Sequence, residues 1–279
     1  MGRTTTADAV WLEVGDRVFT RRYRFFDQQI GAILTDDGPV VIDTRSTARQ
    51  ARELLADLGR LTALPVAAVV DTHHHYDHAF GNAVFRPAPI WGHARCARFL
   101  RERADTYRLE IAREELPRLA DDVLATEIDP PDRTCGDDGA DLDIGGRRLE
   151  LRWLGRGHTD DDIVIVVPGA DVLFAGDLVE SGAPPYFGDG YPLDWPDTLR
   201  AIRPLVAGAV VPGHGDVGDV GFLDRSVAEV AAVADLARRV AVGELGLEEA
   251  IVAAPYRAET AREAIERGVA QARGELRES

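Results

Sequence analysis

Residues 73–78 contain four of the seven histidines of the chain, together with Asp77. Imidazole nitrogens are suitable ligands for zinc and related metals, and a carboxylate adds a harder oxygen ligand. In an extended segment the side chains of His73 and His75 point the same way, whereas Asp77 and His78 belong to the turn that follows. The spacing therefore predicts two groups of ligands, and two groups favour a pair of metal ions.

Three later motifs each place a residue able to bind metal in a tight turn that contains glycine and adjoins an apolar strand. They are Gly157-His158-Thr159-Asp160, Phe174-Ala175-Gly176-Asp177 and Val211-Pro212-Gly213-His214-Gly215. Glycine allows the backbone to turn sharply and to approach a metal closely. Any one of these motifs is typical of an ordinary turn. Together with residues 73–78 they bring six of the seven histidines to strand ends, which favours one shared metal centre.

The elements that must position these residues follow from the hydrophobic pattern. The apolar run 65–70 predicts a buried parallel strand, so the histidines begin where a strand ends, at the edge of the sheet where sites are usually built. A β-meander, a helix and a strand occur in that order twice, which indicates two half-domains whose sheets pack face to face with helices outside. The other predicted elements are a hairpin around Gly15-Asp16, strands at 29–35, 39–43, 89–92, 147–154, 163–167, 172–175 and 209–211, and helices at 46–61, 94–119, 195–205, 221–242 and 258–276.

Two parts of the chain leave alternatives open. The acidic segment 121–143 contains Pro130-Pro131 and several glycines, and it is either a loop or lid between the two halves or a plain linker. The helices within 220–279 either cap the sandwich or mediate a homodimer. We expect a single domain over residues 1–279, with those C-terminal helices packing on it.

The order of the ligand motifs resembles that of the metallo-β-lactamase superfamily, over roughly Phe19 to Asp216. This resemblance implies an α+β fold, a four-layer αββα sandwich with the site at one edge between the sheets. It also implies three roles for the ligands. One metal takes His73, His75 and His158, the other takes Asp77, His78 and His214, and Asp177 bridges the two. Asp77 is in addition the catalytic residue that orients the nucleophile, and the implied cofactor is two Zn²⁺ ions per chain, with iron or manganese as alternatives.

The implied activity is hydrolysis of a small-molecule ester, thioester, lactone or amide by hydroxide generated at the metal pair. No Gly-x-Ser-x-Gly motif, convincing Cys-His pair or lysine is present, so we expect no covalent intermediate. Mono-iron persulfide dioxygenases of the same superfamily retain this motif and are an alternative, as is a true β-lactamase. A metal-free binding module is disfavoured because every ligand position is filled.

Comparison with named subfamilies narrows the substrate only a little. Secreted β-lactamases carry an export signal and have either cysteine or no ligand where Asp177 stands. Lactonases that degrade quorum signals place a tyrosine shortly after that aspartate, whereas this chain has Leu178-Val179-Glu180. Glyoxalase II has a similar ligand set but uses basic residues of a C-terminal extension, which the lysine-free tail does not match.

Several residues near the motifs have roles that the sequence suggests less directly. We expect His74 and His93 to be structural, and Asp43 and Asp71 to orient ligand imidazoles through the second ring nitrogen. Asp160, Asp161 and Asp162 are equally suited to capping a turn. In the segment 181–195, either the aromatic side chains form the rim of a pocket or they pack on their own loop; these side chains are Tyr186, Phe187 and Tyr191.

The charge of the chain limits its partners. The formal net charge is −16, every basic residue is arginine, and no basic cluster is present, which disfavours nucleic acid. No stretch is long and apolar enough to span a membrane, and residues 1–8 lack the apolar core of a signal peptide. Cys96 and Cys135 are far apart, as expected of unpaired thiols. We therefore expect a cytoplasmic protein with a small-molecule substrate.

Overall fold

A computed structural model describes residues 10–276 of the chain. Most of the predicted strands lie within two residues of their expected bounds, and the hairpin at Gly15-Asp16 joins the first two. The strands are β1 (Leu12–Gly15), β2 (Val18–Tyr23), β3 (Gln28–Thr35), β4 (Gly38–Ile42), β5 (Ala68–Val70), β6 (Ile90–His93), β7 (Arg133–Cys135), β8 (Ala140–Ile144), β9 (Arg147–Trp153), β10 (Ile163–Val167), β11 (Val172–Glu180) and β12 (Ala209–His214).

The five predicted helices are present, with some changes in length, and three short helices were not predicted. In chain order the helices are α1 (Ala48–Leu58), α2 (Tyr76–Ala79), α3 (Ala94–Glu110), α4 (Ala120–Leu124), α5 (Trp195–Ile202), α6 (Val220–Ala241), α7 (Leu247–Ala253) and α8 (Ala258–Ala272). The single helix predicted over 94–119 is divided, because α3 passes into a π-helical turn (Ile111–Glu115) and then a 3₁₀ turn that begins at Pro117. Proline has no backbone N–H to continue the helical ladder.

The strands form two half-sheets that meet along one weak seam. Their order is β7-β6-β5-β4-β3-β12-β11-β10-β9-β8, with β2 also paired to β3 and β1 to β2. At the seam, β3 and β12 share a single residue pair, Gln28 with His214. The sheet can therefore fold over at this point, so that its N-terminal and C-terminal halves face each other.

The layers follow from where the apolar side chains are buried. Val40 and Val70 of the N-terminal half pack with Ile165, Phe174 and Val211 of the C-terminal half, which fills the space between the sheets. A second cluster covers the outer face of the N-terminal half with α1, and a third covers the outer face of the C-terminal half with α5, α6, α7 and α8. This is the four-layer αββα sandwich that the sequence predicted.

The segment 121–143 is neither a lid nor a plain linker. It forms part of α4, then β7, which pairs with β6 at Trp91 and Arg133, and then β8, which pairs with β9 at Leu142 and Leu149. The segment therefore crosses from the edge of one half-sheet to the edge of the other. Its acidic and proline-rich composition concealed two short strands, each of which buries only one residue.

The C-terminal helices pack on the C-terminal half-sheet rather than standing apart. Ala237 of α6 and Ile265 of α8 are fully buried in the same cluster as Trp195. The helix α7 was not predicted, because it is only seven residues long. Residues 10–276 include no helix long and apolar enough to cross a membrane, and the prediction for residues 1–8 lies outside the described part.

Candidate metal centre

All seven predicted ligands lie at one edge of the sandwich, where strands of both halves end. The chain leaves β5 at Val70, the histidine loop follows, and the short helix α2 carries Asp77 and His78. His158 lies in the loop between β9 and β10, while Asp177 lies within β11 and His214 ends β12. Because β11 and β12 run parallel and side by side, their carboxyl ends meet at this edge.

The ligand atoms fall into the two predicted groups. One consists of His73, His75, His158 and Asp177, and the other of Asp77, His78 and His214, with the candidate ligand atoms of each group within 4.8 Å of one another. Within the first group the ring nitrogens His158 Nε2 and His75 Nδ1 are 2.8 Å apart, and in the second His78 Nε2 and His214 Nε2 are 3.3 Å apart. Such distances bring several lone pairs to one point in each group.

Asp177 joins the two groups. Its Oδ2 atom is 3.4 Å from Nε2 of His158 in the first group and 3.2 Å from Nε2 of His214 in the second. Its Oδ1 atom is 3.3 Å from His78 Nε2 but forms no hydrogen bond there, and His73 Nε2, also buried, has no hydrogen-bond partner either. Buried polar atoms are seldom left without a partner, so these two atoms fit metal ligation.

In each of the five ligand histidines, one ring nitrogen meets an oxygen atom and the other is left free to bind a metal. A metal-binding histidine normally donates its other ring N–H to an oxygen, which fixes the tautomer. Here the second nitrogens meet Thr72 Oγ1 (from His73, 3.0 Å), Asp189 Oδ2 (from His75, 2.9 Å), Asp43 Oδ2 (from His78, 2.8 Å), the Tyr186 carbonyl (from His158, 3.3 Å) and the Phe26 carbonyl (from His214, 2.7 Å). The remaining nitrogens are those that converge, and imidazole nitrogen with carboxylate oxygen is a donor set that zinc accepts.

Of the two aspartates expected to orient imidazoles, only Asp43 does so. Besides contacting His78, its carboxylate accepts hydrogen bonds from the backbone N–H and the hydroxyl of Thr72, and its backbone adopts the left-handed conformation with φ of 65°. Asp71 instead accepts a hydrogen bond from Asn82 Nδ2 and contacts no histidine. The prediction for Asp71 was wrong, because its carboxylate binds the Asn82 amide rather than an imidazole.

His74 and His93 are structural, as predicted. The backbone N–H of His74 donates to Asp161 Oδ1, its ring nitrogen Nδ1 lies 2.7 Å from Asp161 Oδ2, and its ring packs on Phe99. His93 accepts a hydrogen bond from the Arg95 N–H at the start of α3. Of the aspartates at 160–162, Asp161 holds the histidine loop, and Asp162 accepts a hydrogen bond from the Thr159 N–H in the turn.

Two glycines beside the ligands have no room for a side chain. A Cβ atom on Gly213 would lie 1.8 Å from Asp177 Oδ1, and one on Gly176 would lie 2.9 Å from Thr72. Gly176 also has a φ of +54°, which L-residues rarely adopt. The glycines of the motifs therefore permit the close approach of backbone to ligand that the sequence suggested.

The pKa values of the ligand histidines are shifted in both directions. Burial and the charge of a neighbouring histidine lower the pKa of His158 to about 4, and burial holds that of His73 well below its ordinary value. Burial opposes protonation of His78 as well, but the adjacent carboxylates outweigh it and raise its pKa. Burial would raise the pKa of Asp177, yet His214 and His78 hold it well below its usual range. Metal binding at the second group must therefore displace protons.

A cavity of about 560 Å³ opens above the centre. Of the three aromatic residues expected at its rim, Tyr186 is 50% exposed and lines the cavity, whereas Phe187 and Tyr191 are buried. Both readings of the segment 181–195 were thus partly right. Its glycines and prolines turn one ring outward while the other two anchor the loop in the core.

Sequence reasoning missed three polar residues at the site. Asp189 lies beside His75, where it outweighs the effect of burial and raises the pKa of that histidine to about 9. Burial and the charge of Asp177 raise the pKa of Glu180 to about 8. Gln28 donates a hydrogen bond to the Asp77 carbonyl. Gly188-Asp189-Gly190 is an ordinary turn in sequence, so only the fold reveals its contact.

Comparison with known proteins gives a consistent picture. The model of the metallo-beta-lactamase superfamily matches residues 23–214. A curated relative from Bacillus cereus, described as metallo-beta-lactamase type 2, is 27% identical over 194 residues, which is 68% of this chain and 67% of the relative.

Two solved structures show a similar fold. A metallo-beta-lactamase from Pontibacter korlensis has a TM-score of 0.65 at 24% identity and covers 80% of this chain and 99% of its own. A double mutant of the sec-alkyl sulfatase PisA1 has a TM-score of 0.76 at 17% identity and covers 95% of this chain and 50% of its own. With the family model covering more than half of its length, the chain belongs to the metallo-β-lactamase superfamily, whose members are in general metal-dependent hydrolases.

Proposed function

We propose that this protein is a dinuclear zinc hydrolase that acts on a small-molecule ester, thioester, lactone or amide. The observation that carries the proposal is the position of Asp177, whose carboxylate oxygens lie 3.2–3.4 Å from ring nitrogens of both ligand groups. A carboxylate that lies between two groups of imidazoles is suited to bridging two divalent cations.

In this proposal each ligand group holds one cation. The first consists of His73, His75 and His158, and the second of Asp77, His78 and His214, while Asp177 is shared. When bound, the metals supply a water acidic enough to ionise near neutral pH and a Lewis acid for the scissile carbonyl.

The residues of the chain keep the site ready for those metals. Asp43 and Asp189 hold the imidazoles of His78 and His75 in one orientation, so little rearrangement is needed on binding. Asp77 lines the cavity from the second group, where it would hold the second metal and orient the nucleophile. The surrounding burial excludes bulk water from all sides except the cavity.

The cavity supports a small substrate. Its volume of about 560 Å³ is within the range of ordinary ligand pockets, and aromatic side chains contribute to its wall. The relative named as a β-lactamase and the fold neighbour named as a sulfatase differ in the bond they cleave, so they leave the scissile group of this protein open.

The proposal is tested with protein purified without added metal. Elemental analysis should find about two zinc equivalents per chain, and the protein should hydrolyse at least one of a p-nitrophenyl ester, a thioester, a lactone and a chromogenic cephalosporin. Chelation should abolish turnover and zinc should restore it. A single iron with oxygen uptake on glutathione persulfide would overturn the proposal in favour of a dioxygenase, and absence of both metal and turnover would favour a binding module.

A further inference from the structure

Three exposed glutamates line one side of the cavity, and we call them the acidic rim. They are Glu110, Glu114 and Glu115. Glu110 ends α3 and the other two lie in the π-helical turn after it. Glu180 also lines the cavity but is not counted in the rim, because burial and the charge of Asp177 raise its pKa to about 8. Within residues 10–276, none of the three rim glutamates forms an ion pair, and no arginine lines the cavity.

The absence of pairing contrasts with two other acidic groups that line the same cavity. Asp27 pairs with Arg22, and Asp189 lies 2.9 Å from His75 Nε2. Unpaired carboxylates around one opening add their fields, because a low-dielectric wall on each side focuses them into the cavity. The rim is therefore a region of negative potential that the chain itself leaves uncompensated.

The metal ligands that line the cavity form its floor. A separate feature marks this floor as a ligand site. Asp177 is buried and lines the cavity, and its Oδ1 atom has no hydrogen-bond partner. With cations bound there, the floor attracts the scissile oxygen while the rim opposes negative charge on the rest of the substrate. The cavity thus has opposite polarity at its two ends.

Aromatic rings line the same cavity as the rim carboxylates. Tyr107 and Tyr76 have ring centroids 6.4 Å apart, Phe26 and Tyr76 have centroids 6.0 Å apart, and Tyr186 is half exposed on the other wall. The faces of aromatic rings attract ammonium groups, and the attraction increases when carboxylates stand beside them. Carboxylates and rings together recognise an organic cation better than any anion.

We propose that the substrate carries an ammonium group at the end remote from its scissile bond, and that substrates ending in carboxylate, sulfonate or phosphate are disfavoured. The cation lies among the rings and the acidic rim while the scissile group lies over Asp177. This inference rests on the proposed hydrolytic function for its substrate and adds the charge of the distal group.

The test compares three p-nitrophenyl esters of equal chain length on the zinc-loaded protein. Their acyl chains end in trimethylammonium, tert-butyl or sulfonate, and each rate is divided by the rate of its hydrolysis in hydroxide. We expect kcat/KM for the cationic ester to exceed that for the anionic ester by at least about tenfold at low salt, as focusing by a charged cleft allows. The ratio should fall as salt is added.

Two double variants locate the effect. In Glu114→Gln/Glu115→Gln the ratio of kcat/KM for the cationic ester to that for the anionic ester should fall at least about threefold, because two rim charges are removed. The matched control is Glu102→Gln/Glu244→Gln, which removes the same charge from two exposed glutamates that neither line the cavity nor form ion pairs. In this control the ratio should be unchanged. Equal ratios in both double variants, or an anionic ester preferred by the unmodified protein, would overturn the inference.

A binding measurement separates this inference from the proposed hydrolysis. Calorimetric titration with benzyltrimethylammonium and with benzylsulfonate measures the charge preference without any turnover. If no ester is hydrolysed but the ammonium binds more tightly than the sulfonate, the hydrolytic proposal fails and the charge preference stands. If esters are hydrolysed while the sulfonate binds as tightly as the ammonium, the charge inference fails alone.

Discussion

The floor and the rim of the cavity are held in different ways. The floor ligands are almost entirely buried, they extend from strand ends or an adjoining short helix, and each histidine has its second nitrogen in a hydrogen bond. The rim is made of a loop and the end of a helix, with exposed glutamates and one exposed tyrosine. This difference between floor and rim indicates that the reaction chemistry depends on the buried floor, whereas the choice of substrate depends on the rim.

Removing the shared carboxylate should have the largest effect. In Asp177→Ala both ligand groups lose their common oxygen, so the loss of activity should exceed the roughly 10- to 100-fold that follows from disturbing an outer-shell partner. Zinc content measured by elemental analysis should fall with it. Retention of two zinc ions and most of the activity would show that Asp177 is not the bridge.

Crowding the same carboxylate should act indirectly. In Gly213→Ala the new methyl would lie 1.8 Å from Asp177 Oδ1, so either the aspartate or the strand must move. We expect about 1–3 kcal/mol of destabilisation together with reduced zinc affinity. Gly136→Ala is the matched control, because a Cβ atom there meets nothing within 4 Å. Thermal unfolding and zinc titration should distinguish the two, and identical behaviour would contradict the close approach.

The two buried aspartates near the histidine loop should behave differently. Asp43→Asn replaces one of the two oxygens that accept hydrogen bonds from His78 and Thr72 with an NH₂ donor, and it should weaken zinc binding about 10- to 100-fold. Asp71→Asn changes a residue that contacts Asn82 and no histidine, so its effect on zinc affinity should be smaller. Competition with a zinc-responsive dye measures both, and an Asp71 variant as weak as the Asp43 variant would refute the assignment.

The aromatic residues of the loop should divide between stability and substrate binding. Phe187 is fully buried, so Phe187→Ala should cost about 3–5 kcal/mol of stability. Tyr186 is half exposed, and Tyr186→Ala should leave the melting temperature within the small range of surface substitutions. The Tyr186 variant should instead change KM, with zinc content unaltered. A large loss of stability in Tyr186→Ala would place that ring in the core.

The sequence predicted the floor far better than the rim. His73, His75 and Asp77 lie within five residues, and the remaining ligands stand beside glycine in short turns, so their types and spacing carried the information. The contacts of Asp189 and Glu180 depend on how a loop folds back over the site, which no local pattern encodes. The short strands in 121–143 were missed for a related reason, since each is stabilised by a partner distant in sequence.

The central claim is that two cations lie between the two ligand groups. Crystals grown with zinc and measured on both sides of the zinc absorption edge would test it most directly. The account predicts two anomalous peaks about 3.5–4 Å apart, one among His73, His75 and His158 and one among Asp77, His78 and His214, with Asp177 between them. A single peak, or none at this edge of the sandwich, would contradict it.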